Sequence, residues 1–129
     1  MTGQGLYDAA LRMIAEIGGG GSADDYAERA PYLLAAFCCE NGTADAEYRS
    51  AHGLGKQAAF SRVFLELAEE FPLCERFAYP AECYLASMLL MDENETLSDK
   101  LYDRYCDSIS TVYAELPAQS GGIVDRYPM

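Results

Sequence analysis

FPLCERFAYPAECYLASMLLMDENETLSDKLYDRYCDSISTVYAEL, residues 71–116, reads as two amphipathic helices joined by an acidic turn. Over 76–91, Phe77, Ala81, Tyr84, Leu85, Met88 and Leu89 recur at three- and four-residue steps and make one apolar stripe. Asp92-Glu93-Asn94-Glu95 breaks that pattern. A second helix is predicted to begin between Asn94 and Ser98. There Asn94, Thr96 and Ser98 can each accept a hydrogen bond from an orphan amide, and Glu95 and Asp99 suit the positive end of the helix dipole. Its buried face is Leu97, Leu101, Tyr105, Ile109, Val112 and Leu116. Pro117 cannot continue the helix, and residues 118–122 have neither helical spacing nor strand alternation, so the chain is expected to leave the bundle there as an extended arm.

Upstream, Leu6, Ala10, Met13, Ile14 and Ile17 form another stripe, which a Gly-rich link over 18–22 ends abruptly. Ser22, Asp24 or Asp25 can cap a second helix bearing Tyr26, Ala30, Leu33, Leu34, Phe37 and Cys38, with Asn41-Gly42 as its left-handed C-terminal cap. Pro31 removes a backbone donor, so this helix is expected to start close to it, with residues 24–29 as a preceding helical turn. Residues 47–55, with glycines on both sides of Leu54, read as a loop within a variable stretch, 42–56. Phe60, Val63, Phe64, Leu67, Ala68 and Phe71 fit a helical period but also an extended segment; a helix is the expectation. The sum is an all-α bundle of four to five helices over 1–116, followed by an extended C-terminal arm, 117–129.

Composition sets limits on function. A chain of 129 residues, half of them apolar, makes one domain that buries on the order of two-thirds of its unfolded surface. It has no run of apolar residues long enough to span a membrane, and 1–20 lacks the pattern of a secretory signal, so a cytoplasmic protein is expected. Five cysteines without a C-x-x-C pair read as reduced core residues. With 21 acidic residues against 9 Lys and Arg, the net charge of -12 repels DNA and anionic membranes. Such a surface fits a plainly soluble acidic domain, a DNA mimic, or a conduit through which DNA slides without sticking.

Motifs for chemistry are weak. His52 is the only histidine, and no G-x-S-x-G context accompanies it. Asp92, Glu93, Glu95 and Asp99 lack the glycine and alternating ligands of a calcium-binding loop. The glycines at 18–21 lack the Lys-Ser/Thr ending of a phosphate-binding loop. No catalytic residue, metal or cofactor is expected, and the chain does not read as an enzyme. Among ten tyrosines, Tyr79, Tyr102, Tyr113 and Tyr127 fall off or at the edge of the stripes, as half-exposed core residues or as subunit contacts.

Phe71-Pro72-Leu73-Cys74-Glu75-Arg76-Phe77, leading into 84–91, the Asp92-Glu93-Asn94-Glu95 turn and 97–105, resembles the head-tail connector (neck adaptor) proteins of tailed phages and prophages. Leu116-Pro117-Ala118 and Ile123-Val124-Asp125-Arg126-Tyr127 complete the match, which covers about half the chain. The pattern is one of packing and capping, with no chemical signature. The resemblance implies a structural protein of the bacterial cytoplasm and then of the virion neck. It would assemble as a ring, dodecameric on the portal, and contact the portal protein and neighbouring neck or tail-completion proteins. Glu66, Glu69 and Glu70 become candidates for an acidic channel wall. Ile123, Val124 and Tyr127 become the arm's contacts with a neighbouring subunit or the portal. The competing reading is an acidic inhibitor or DNA mimic of a host nucleic-acid enzyme; the scatter of carboxylates over helix starts and exposed faces argues against it.

Overall fold

The computed structural model of the chain describes residues 1–18 and 25–117. They form four α-helices: α1 Gly3–Glu16, α2 Tyr26–Ala51, α3 Ala78–Leu90 and α4 Glu95–Ala114, with a 3₁₀ turn, Glu75–Phe77, leading into α3. The architecture is an all-α bundle. Among the described residues no helix is long and apolar enough to cross a membrane. The arm with Ile123, Val124 and Tyr127 lies outside the described residues, as do 19–22 of the Gly-rich link.

α3 is the centre of the molecule, with α1, α2 and α4 all packed on it. It is less one-sided than its stripe implies. Beyond Ala81, Leu85 and Leu89 it also buries Cys83, Ala86, Ser87 and Leu90, small or apolar residues that let neighbours approach on several sides. α4 is capped by Asn94, whose Oδ1 accepts from the Leu97 amide at 3.1 Å. It buries Leu101, Tyr105 and Val112, while Leu97, Ile109 and Leu116 pack half-buried against the core, which is the face expected from spacing. Ser87 and Ser98 lock α3 to α4 reciprocally: each hydroxyl donates to the other residue's carbonyl, at 3.0 and 2.9 Å.

α2 corrects three expectations. It begins five residues before Pro31, because tertiary bonds hold its first turns: Tyr26 donates to Glu93 Oε1 at 2.7 Å, and Arg29 donates to the Met88 carbonyl at 2.8 Å. The carbonyl deprived of a partner by Pro31 belongs to Ala27, on the exposed side. The helix also passes through Asn41-Gly42. Asn41 is buried, donating through Nδ2 to the Phe37 carbonyl and accepting at Oδ1 from Tyr113, so it serves the bundle rather than a cap. Most of the expected loop at 42–56 is therefore helical. The left-handed residue is Gly53, φ 68°, where Leu54 N–H bonds to the Arg49 carbonyl and Gly53 N–H to that of Ser50.

The expected helix over 60–71 is absent. Its amides bond elsewhere: Leu65 N–H to the Pro31 carbonyl and Phe71 N–H to that of Met1. In the same stretch the Leu67 and Glu69 carbonyls receive the first amides of α1, from Gln4 and Gly3. A Cβ on Gly3 would lie 3.2 Å from Leu67 Cα, so a side chain there would press the Leu67 backbone back by a few tenths of an ångström. Leu65, Phe71 and Leu73 pin the segment to the core. Its end is held by Asp45 of α2, which accepts from the Cys74 amide at 2.7 Å and from Arg49 Nε at 2.9 Å.

Candidate assembly surface

The sequence-predicted acidic trio sits on a turn at the end of the irregular segment, not along a helix. Glu69 accepts from Arg62 at 2.7 Å and from the Glu66 amide at 3.0 Å, and Glu70 faces the terminal ammonium at 3.1 Å. Glu66 forms no ion pair among the described residues. The three are neighbours, but two of them already have cationic partners.

Tyr79, Tyr102 and Tyr113, singled out as off-stripe residues, are each more than two-fifths exposed. Tyr102 stacks obliquely near Tyr105, and Tyr113 leans across to Asn41 with an O–H···O bond of 2.9 Å. These rings present apolar area with a polar tip, the composition favoured at protein contacts. A second exposed patch, Tyr32 with Val63 and Phe64, was not legible beforehand. Tyr32 and Phe64 meet edge to face at 5.0 Å, across two elements whose proximity depends on the irregular path of 54–74.

Close to Pro117 in the chain, Glu115 is gripped by Arg76 through two bonds, Nε to Oε1 at 2.9 Å and Nη2 to Oε2 at 2.7 Å. Hydrogen bonding to Arg76 holds the Glu115 carboxyl below its usual range. With the folded value depressed, the contact is fully present above the ordinary carboxylate value and is lost as pH falls through the lowered one.

The residues weighed for chemistry have structural surroundings. His52 stacks on Tyr48 at 4.1 Å, and its Nδ1 lies 3.0 Å from the Tyr48 carbonyl. In the acidic turn Glu93 accepts from Tyr26 and Asn94 caps α4. Among the described residues no three His, Cys, Asp or Glu side chains converge as metal ligands. All five cysteines are free. Cys38, Cys74 and Cys83 are buried, as expected of core residues, whereas Cys39 and Cys106 are exposed. Burial pushes the Cys38 thiol up to about 12, and burial with the nearby Asp45 carboxylate pushes Cys74 up to about 11. In the native chain at pH 8, a thiol reagent is therefore expected to modify Cys39 and Cys106 quickly and the other three only after denaturation. A third fast thiol in a timed titration would contradict the burial pattern.

Comparison with family models, curated proteins and solved structures returns no match.

Proposed function

We propose that this chain is a structural adaptor of the head-tail neck of a tailed phage or prophage, assembling as a ring on the portal and contributing to an acidic DNA channel. The observation that carries the reading is the α3–α4 hairpin. The residues of the resemblance from Glu75 to Tyr105 fall in one physical unit: the 3₁₀ entry, the central helix, the acidic turn, and α4 capped by Asn94. A central helix surrounded by its own chain leaves contacts with other subunits to the outer faces, where the exposed tyrosines stand. The net charge of -12 lets DNA pass without adhesive contacts. In this reading Glu66, Glu69 and Glu70 face the channel, and Ile123, Val124 and Tyr127 of the arm meet the portal or the next subunit. Ring assembly requires two different faces per subunit, a head-to-tail contact that closes on itself.

The test is affinity capture from host cells in which the parent element is induced, using the full chain and a version ending at Leu116. Circular dichroism is expected to show equal helicity in both. Portal protein recovered only with the full chain supports the adaptor and the arm's role. A nuclease, polymerase or repressor recovered with both versions would replace it with the inhibitor reading.

A further inference from the structure

The face between α2 and α4 carries an open groove of about 560 Å³ lined by Glu40, Asn41, Tyr105, Ile109, Ser110 and Tyr113. Tyr105 and Ile109 make its floor, and the Tyr113 hydroxyl reaches across to Asn41. α2 and α4 pack chiefly on α3, so their outer flanks form the walls without closing over the floor.

We propose that residues 118–129 dock in this groove of their own chain, with Val124 on Ile109 and Arg126 beside Glu40. Three observations choose this occupant. The first is reach. Tyr105 lies twelve residues back from Pro117 along the chain, roughly 18 Å at the helical rise, and the seven residues from Pro117 to Val124 span at most about 24 Å when extended. The segment after Pro117 is therefore long enough to reach back along the whole groove.

The second is charge. Glu40 belongs to no ion pair among the described residues and is exposed. It lines the groove beside Tyr113, whose hydroxyl is held above its ordinary value by burial first and then by the Glu40 charge. Arg126 is the single cation among residues 118–129. The third is pattern: in an extended segment Val124 and Arg126 lie on one side, so one docked face brings an apolar residue to the floor and the cation to the rim.

The docked tail is a resting position for the segment that the adaptor reading assigns to the portal. The test needs no portal, so either idea can fail alone. The chain has no tryptophan, and Val124→Trp in the full chain supplies a single reporter. Its emission is expected to be shifted to short wavelength and shielded from iodide, with both properties unchanged on dilution. Adding Glu40→Arg at the exposed rim, or Ile109→Asp at the floor, is expected to abolish the shift and the shielding while circular dichroism stays helical. A reporter that emits as in water from the start would overturn the proposal. So would a blue shift that survives both second substitutions, which puts the ring in another site, or one lost on dilution, which puts it in the groove of a second copy.

Discussion

Asp45→Ala is expected to lower stability by about 3–5 kcal/mol, the usual cost of breaking a buried ion pair by removing one partner. The carboxylate is 6% exposed and its partner Arg49 17% exposed, so the guanidinium is left largely desolvated without its anion. The Cys74 amide also loses its acceptor in a buried setting. Small domains have about 5–15 kcal/mol in hand, so the variant is expected to unfold at far lower urea. Asp45→Asn separates the two effects. Its amide oxygen still accepts from Cys74 N–H, and Arg49 keeps its weaker bond to the Pro72 carbonyl, so a smaller loss is expected. Urea titrations of both variants followed by circular dichroism decide it; equal losses would mean that the charge accounts for the whole effect and the Cys74 amide contact for none of it.

Phe37→Ala is expected to cost about 3–5 kcal/mol by a different mechanism, the loss of transfer free energy together with a cavity. The Phe37 ring is fully buried and touches the rings of Phe71, Tyr84 and Tyr105, so it joins α2, the irregular segment, α3 and α4 at one point. None of these can collapse into the space without leaving another contact. Phe37→Leu keeps most of the volume and is expected to cost much less. Both should move the urea midpoint without changing the slope. A changed slope would mean that the bundle had lost cooperativity rather than only stability.

The fold class was legible because α1 and α4 carry clean helical periods, with Asn94 as the cap of α4. The errors share a physical cause: local signals were overruled by partners distant in sequence. Pro31 looked like a start because the bonds of Tyr26 and Arg29 to the α3–α4 region cannot be read from α2 alone. Asn41-Gly42 looked like a stop because Tyr113 lies 72 residues away. The period over 60–71 was a coincidence of apolar residues whose amides serve Met1 and Pro31 instead of one another. Of the candidate surface, the outward tyrosines were visible as breaks in a stripe, while the Tyr32–Phe64 patch depends on a path that no local pattern encodes.

The central position of α3 also bears on how the chain comes into being. α1 packs mainly on α3 and hardly on α2, although α2 follows it directly in the chain. During synthesis the first two helices therefore leave the ribosome with no surface to rest on. The wait from residue 16 to residue 90 lasts about 4–15 s at a translation rate of about 5–20 residues per second. Throughout it Leu6 and Ile14, joined by Leu34 and Phe37 once these are made, all buried in the finished molecule, stay open to chaperones or to sister chains. The α3–α4 hairpin, short in loop and interlocked by its two serines, is the piece expected to form first, with the earlier helices condensing on it.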